Sequence, residues 1–448
     1  MKSSARRAFN ERSLYTASGE ATRGLARSEL PPVLGASAAI LTSTVLTALF
    51  GIVFWGVQSH LFPAELVGQG TTLMSLAATA SLLTTAGLAP ALLLAIPRAS
   101  SVDLRTGLTV WSAVGAAVVA VAISLLAGLV LPILNPTFAF LRSPLLVAAT
   151  AIVAGGSAAH TALDAALVAD RRAGAVPVKN TALAAAKAAL VTGMALAGIA
   201  PAVASSVSWA LASLMTAIAA GWFVTRGPRL PPGSCRLALN VLKAELGHHH
   251  AASLGGALPP VLLPVLVTAI LGTEASALFS IAWMLGAAFF MVSPAVSSAL
   301  LASDAETPDL LAKRVRSAAK LITALLAVPL GVALLLPETL LSMFGAQYRA
   351  AGLLLVLLAL AAIPDAITNV AVAVYRVQGR LARVTAVNVG MGFLTVAGSC
   401  LLMPVLGITA LGWAWLGSQS LGSLTFLMFP VTHKARGRLV KHADPARH

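Results

Sequence analysis

Asp365, Asn369, His160, Asp164 and Lys187 are the side chains in this 448-residue sequence whose types and spacing could do chemistry, because each stands inside a long apolar run. An ionisable group at the centre of such a run costs about 2.5–3.5 kcal/mol on membrane-insertion scales, which makes each a functional candidate. Asp365 follows Pro364, which lacks an amide donor and leaves the carbonyl near Leu360 without a helical partner. Asn369 is four residues on and shares a helix face with it. Together they could hold a proton or small coupling cation; the other reading is a buried, protonated Asp bonded to Asn and backbone, with a packing role only. His160 and Asp164 are likewise four residues apart on one face. Lys187 lies in the next run, at a depth that an antiparallel neighbour brings level with Asp164. Two readings stand there: a self-neutralising Asp164–Lys187 pair between helices, or Lys187 as a cavity cation for an anionic group with His160 beside it. Arg98, after Pro97, and Arg349 sit at opposite membrane surfaces as candidate phosphate contacts, although snorkelling is the plainer reading of Arg98. His248, His249 and His250 point about 100° apart on a helix, which suits an interface better than a metal site.

Such side chains need elements that carry them through lipid. Hydrophobic residues make up 58% of the chain and charged ones only 10%, with a mean hydropathy of +0.90. A soluble domain carries about 25% charged residues, and a disordered one is richer still in charge, so both classes are excluded. Two cysteines in this length exclude a disulfide scaffold. What remains is an all-α, polytopic membrane protein. Twelve apolar runs are each long enough to cross a hydrocarbon core of about 30 Å at about 1.5 Å per residue. They fall at roughly 34–57, 70–96, 107–131, 144–168, 181–199, 204–225, 251–271, 277–301, 319–336, 352–375, 384–403 and 408–430.

The charge distribution orients these twelve transmembrane helices. Of the 30 Lys and Arg, only Arg142 and Arg349 fall on one side and Lys187 within a span; the others occupy the two tails and alternate loops of the opposite side. That asymmetry is the positive-inside pattern and places both termini in the cytoplasm. The formal charge of +15 is thus a topology determinant that favours anionic membrane lipids, and no nucleic-acid partner is expected. The chain divides into a basic tail (1–33), a first six-helix bundle (34–225), a loop broken by Pro228, Pro231, Pro232 and Gly233 (226–250), a second six-helix bundle (251–430) and a basic carboxyl tail (431–448). A 6+6 pseudo-repeat is visible in one place. Arg172, Val176 and Asn180 follow the fourth span, and Arg380, Val384 and Asn388 follow the tenth, with identical spacing. Related halves with a site between them are a common transporter plan.

The sequence has no phosphate-binding loop, no H-E-x-x-H and no C-x-x-C, so neither ATP hydrolysis nor an enzyme is expected, and no cofactor or metal. The second–third loop, Pro97 to Arg105, lacks the Gly-Asp-Arg-rich signature of major facilitator carriers. Other segments carry a resemblance. Pro63-Ala-Glu65-Leu-Val-Gly68 leads into the second span, which holds Ala86-Gly87-Leu88-Ala-Pro-Ala-Leu. Phe344-Gly345-Ala-Gln-Tyr348 precedes the tenth, Gln378-Gly379-Arg380 follows it, and Leu406-Gly407-Ile408 opens the twelfth. In order and spacing these resemble the multidrug/oligosaccharidyl-lipid/polysaccharide (MOP) exporter superfamily, and within it the Wzx-like polysaccharide flippases.

The resemblance implies two six-helix bundles in a V around a central cavity, alternating access, and a multi-pass protein of the cytoplasmic membrane. It also implies a polyprenyl-diphosphate-linked saccharide as cargo, with glycosyltransferases or a polymerase of the same pathway as partners. Lys187, with His160, Asp164, Arg98 and Arg349, then becomes a candidate substrate contact, and Asp365 with Asn369 the coupling-ion candidate. The sequence lacks the two extra helices usual in peptidoglycan-precursor flippases, and the acidic residue that drug-extruding relatives carry in the first span. Two alternatives remain open: a cation-coupled multidrug exporter, MATE-like, and a non-transporting scaffold for envelope polysaccharide synthesis.

Overall fold

The computed structural model describes residues 46–99, 101–199, 201–225, 234–301 and 308–428. The tails expected at 1–33 and 431–448 lie outside the described residues, as do residues 34–45 of the first run, 226–233 of the mid-chain loop, and the side chains of His248 and His249.

Apolar runs become helices, because in lipid every backbone group must be satisfied within its own segment. The first half comprises α1 (Leu46–Leu61), α2 (Ala64–Thr85), α3 (Leu88–Arg98), α4 (Val102–Leu134), α5 (Pro144–Ala169), α6 (Ala175–Leu196) and α7 (Pro201–Thr225). The second comprises α8 (Ser234–Leu271), α9 (Thr273–Leu301), α10 (Pro308–Leu335), α11 (Pro337–Ser342), α12 (Gly352–Val377), α13 (Leu381–Leu406) and α14 (Thr409–Met428). No strand occurs among the described residues. Among the described residues eight helices are long and apolar enough to cross a membrane, and Leu46–Leu61, Leu88–Arg98 and Val203–Met215 are shorter apolar ones. The protein is a multi-pass membrane protein.

Three of the departures from the sequence expectation have a local reason. The run at 70–96 is two helices, α2 and α3, parted at Ala86–Gly87. Pro90 has no N–H to give the carbonyl of Ala86, so the helical hydrogen bonding is interrupted at that turn. The interval 234–250, expected as loop, is the first part of α8, a single helix of 38 residues. It contains no proline and only one glycine, Gly247, so nothing stops a helix there. The fifth span begins at Ala175 rather than 181, with Pro177 in its first turn. First-turn amides have no intrahelical acceptor, so a proline is tolerated there.

The two halves repeat. Helix α5 and helix α12 are both 26 residues long and start 208 residues apart (352 − 144). The loops that follow carry the same backbone hydrogen bonds at the same offset. Arg172 N donates to Leu167 O and Ala175 N to Arg172 O; Arg380 N donates to Tyr375 O and Arg383 N to Arg380 O. Even the left-handed residue recurs: Arg171 at φ 58°, Gly379 at φ 71°. Packing repeats with it. In the first half α5 contacts α2, α4 and α7, and α6 lies on α7; in the second, α12 contacts α9, α10 and α14, and α13 lies on α14.

Each half has its own apolar core. One is built around Leu73, Leu92, Leu108 and Val153, the other around Leu263, Phe279, Leu354 and Leu358. They meet where α2 runs between α8 and α9. Thr72 Oγ1 lies 2.5 Å from Thr268 Oγ1, Thr71 Oγ1 lies 3.3 Å from Ser276 Oγ, and Thr79 Oγ1 donates to Val261 O at 3.0 Å. At the α2–α3 break, Gly87 N donates to His250 Nδ1 at 3.2 Å, so the second half meets an amide that the broken helix leaves free. Glycine allows this closeness: a Cβ at Gly68 would overlap the backbone of Thr273, and Gly392 sits against the carbonyl of Gly255. Small residues at helix contacts are the usual means of close packing in lipid.

Candidate functional site

Two polar clusters lie inside the helices, one in each half. In the first, α5 supplies His160 and Asp164 one turn apart, and the second turn of α6 supplies Lys179 and Asn180. Lys179 Nζ stands 3.1 Å from Asp164 Oδ1 and donates to Asn180 Oδ1 at 2.9 Å. It also lies 2.7 Å from His160 Nδ1. An ammonium has no lone pair, so His160 accepts on Nδ1 and is held in the neutral state with its proton on Nε2. Asn180 Nδ2 donates to Asp164 Oδ2 at 3.3 Å and closes the network.

This arrangement corrects the expected Asp164–Lys187 pair. The partner of Asp164 is Lys179, and Lys187, two turns further along α6, turns to α7 instead. Its ammonium lies 4.0 Å from the centre of the Trp209 ring, which packs edge-on against Phe54 of α1 at 5.4 Å. Among the described residues no carboxylate lies within 4 Å of Lys187. An aromatic face attracts a cation but does not neutralise it. Lys187 therefore has no anionic partner among the described residues.

In the second half, Asp365 and Asn369 do share a face of α12, and Ser293 of α9 completes the group. Ser293 Oγ donates to Asp365 Oδ2 at 2.8 Å. Asn369 Nδ2 lies 3.0 Å from the same oxygen and 3.0 Å from Asp365 O. Asp365 and Asn369 line a cavity of about 430 Å³ between α8, α9, α12, α13 and α14. One wall is aromatic: Trp283 and Trp415 meet edge to face at 4.6 Å, with Phe290 at 5.5 Å from Trp415. Asn388, the last residue of the sequence repeat, also lines it.

Arg98 ends α3 and Arg349 lies in the 3₁₀ turn Ala346–Ala351; both are exposed, and neither lines this cavity. No group of three or more His, Cys, Asp or Glu able to hold a metal ion occurs among the described residues. Sequence reasoning passed over Lys179, which it counted as a loop charge, and the Trp283–Trp415 wall, whose members are far apart in sequence. The position of Asn180 and Asn388 in the repeat was the available signal for both clusters.

Comparison of the sequence with protein-family models and with curated proteins gives no match. The structure does match solved structures. The lipid II flippase MurJ in an inward closed conformation superposes with a TM-score of 0.70 at 11% identity, covering 88% of this chain and 87% of that one. An inward-facing multidrug resistance MATE family transporter of the MOP superfamily gives a TM-score of 0.64 at 13% identity, over 86% and 93%. The MATE multidrug transporter DinF-BH, in complex with R6G, gives 0.59 at 14%, over 89% and 95%.

The chain has the MOP transporter fold. The resemblance read from short motifs holds at that level, and their positions explain why. Gly68 lies at the closest helix contact, Gly87 at the α2–α3 break, and Gly345, Gly379 and Gly407 adopt φ of 123°, 71° and 58°. These are backbone conformations that other residues enter at a cost. The glycines of the MOP-like motifs thus serve turns and contacts of the fold.

Proposed function

We propose that this protein is a flippase or exporter that carries a polyprenyl-diphosphate-linked saccharide across the cytoplasmic membrane by alternating access. In this reading its twelve spans form two six-helix bundles with both termini in the cytoplasm, and the polar contacts of α2 with α8 and α9 form the seam that opens and closes. The observation that carries the proposal is Lys187. Because Lys179 neutralises Asp164, the Lys187 ammonium is a cation without a counter-ion among the described residues, held in place by Trp209. Such a group attracts an anion strongly where solvent screening is weak. A diphosphate supplies that anion; a hydrophobic drug cation would be repelled.

The test is the lipid pool of a strain lacking the gene and any redundant flippase. The wild-type gene should clear an accumulated polyprenyl-diphosphate saccharide, and Lys187→Ala should not. Clearance by Lys187→Ala at normal protein level would overturn the assignment of Lys187. An unchanged pool on deletion would overturn the flippase reading.

A second reading, a cation-coupled multidrug exporter, is favoured by one feature. Asp365 borders an aromatic-walled cavity, and its carboxylate with Asn369 could take the coupling ion. In that case Asp365→Asn abolishes efflux of hydrophobic cations while Lys187→Ala leaves it intact.

A further inference from the structure

A groove between α10 and α12 has no part in the reading above. It measures about 970 Å³ and is lined by these two helices and by Phe426 of α14; apart from Arg316 and Thr323, every lining residue is apolar. Ile322, Leu326 and Ala362 are buried in it, and Ala319, Ala327 and Ile367 stand exposed along it. The repeat explains the opening. Helix α10 meets α12 as α4 meets α5. In the first half that contact is close: a Cβ on Gly155 would overlap Val121 and come within 3.3 Å of Ala117 O. The residue 208 positions on is Ile363, which lines the groove and is 55% exposed. A β-branched side chain stands where the first half has none, so α12 cannot approach α10 as α5 approaches α4. Helix α12 thus separates two environments. Asp365, Asn369 and Arg376 line the polar cavity, while Ala366, Val370 and Val374 line the groove.

We propose that this groove docks the polyprenyl chain of the lipid-linked cargo, with Arg316 against its phosphate. The proposal rests on the lipid-linked reading of that cargo. Charge and length select the occupant. Arg316 is exposed near the start of α10 and forms no ion pair among the described residues. In the orientation proposed above it stands at the level of the cytoplasmic headgroups, where a lipid carries its phosphate. A guanidinium meets phosphate oxygens two at a time. An apolar helix from a second copy would bring nothing for it. From Arg316 to Leu330 the groove follows α10 for about 21 Å, at about 1.5 Å per residue. One leaflet is about 15 Å deep, half of a core of about 30 Å. The groove therefore passes the midplane, where phospholipid tails of that leaflet end and a polyprenyl chain continues. Lipid is as apolar as the groove, so shape and charge hold the chain there, rather than removal from water. Arg316 lies on α10 and Lys187 on α6, so the two cationic contacts are separate and can be removed one at a time.

The test is lipid binding by the full-length protein in phosphatidylcholine nanodiscs, read by native mass spectrometry. The probes are a long-chain polyprenyl phosphate, farnesyl phosphate and dioleoyl phosphatidylglycerol. The long chain should bind at one site per protein and be retained in preference to phosphatidylglycerol. Arg316→Gln should weaken both isoprenoid phosphates a few-fold, as loss of an exposed ion contact does. Ala327→Trp fills the groove about 16 Å beyond Arg316. It should weaken the long chain about tenfold and leave farnesyl phosphate, whose three units end before it, unchanged. Ala319→Trp, nearer the mouth, should weaken both. All three positions are exposed, so each variant should keep the wild-type unfolding midpoint. Long-chain binding indifferent to Ala319→Trp and Ala327→Trp overturns the proposal. So does equal retention of phosphatidylglycerol, which would make the groove a phospholipid seat. A disulfide dimer of Ile367→Cys in high yield would make it an interface between copies and overturn it as well. Groove-dependent binding with an unchanged cellular lipid pool on deletion would keep this site and reject flipping. A pool that responds while the groove variants bind normally would do the reverse.

Discussion

Lys179 and Lys187 sit two turns apart on one helix and meet different partners. Lys179 completes a closed network with Asp164, His160 and Asn180, and the side chains of the ion pair are only 10% and 27% exposed. Removing the lysine leaves a carboxylate uncompensated in a half-buried setting, which lies between the small worth of a surface pair and the about 3–5 kcal/mol of a buried one. Lys179→Ala should therefore destabilise the protein by about 2 kcal/mol, read as a lower midpoint in thermal unfolding in detergent. Lys187→Ala loses only a contact with an aromatic face and should change the midpoint far less, while transport is lost. A larger thermal loss for Lys187→Ala would mean that its charge is spent on the fold. The sequence pointed to the right carboxylate and the wrong lysine, and the error has a physical source. Counting depth from a span assumed to start at 181 puts Lys179 in a loop, whereas Pro177 fits within the first turn of a helix that starts at Ala175 and brings Lys179 into reach of Asp164.

At the scale of elements, the loop after α5 and its counterpart after α12 adopt one backbone path with different residues. The left-handed position is Gly379 in the second half and Arg171 in the first, where φ is 58°. A side chain in that conformation costs about 1 kcal/mol, which glycine avoids. Arg171→Gly should therefore stabilise the protein by about 1 kcal/mol or less, since glycine also gains freedom when unfolded. Gly379→Arg should cost a similar amount, and both are read from unfolding midpoints. The reverse signs would show that the loops are not equivalent. A harsher test sits at the seam. Gly68→Ala places a methyl group on the backbone of Thr273, and backbone cannot yield as a flexible side chain can. The change should separate α2 from α9, lower the midpoint by several degrees and raise cysteine labelling of a Thr72→Cys reporter. Such contacts were not legible in the sequence, because a glycine that admits a neighbouring helix looks like any other glycine until the neighbour is known.

The whole molecule is two copies of one plan, and that plan was visible only as Arg172, Val176 and Asn180 against Arg380, Val384 and Asn388. Three shared residues carry little weight alone. The same 208-residue offset in helix length, loop hydrogen bonds and left-handed turns carries a great deal. The copies differ in their polar groups: the first half has a lysine above a tryptophan, the second a carboxylate beside an aromatic-walled cavity. The repeat also constrains topology. In the twelve-span reading helices α5 and α12 are the fourth and tenth spans, with five spans between them, so they cross the membrane in the same sense and their following loops face the same side. That side is where nearly all Lys and Arg lie, so the positive-inside rule predicts that it is the cytoplasmic one. Alkaline phosphatase, active only outside the cytoplasm, reads this directly. Fusions after Arg142 and Arg349 should be active, and fusions after Arg172 and Arg380 inactive. If the pair after Arg172 and Arg380 split, one active and one not, the halves would be inverted relative to each other. The seam of α2 with α8 and α9 would then join opposite membrane faces, and alternating access about it would fail.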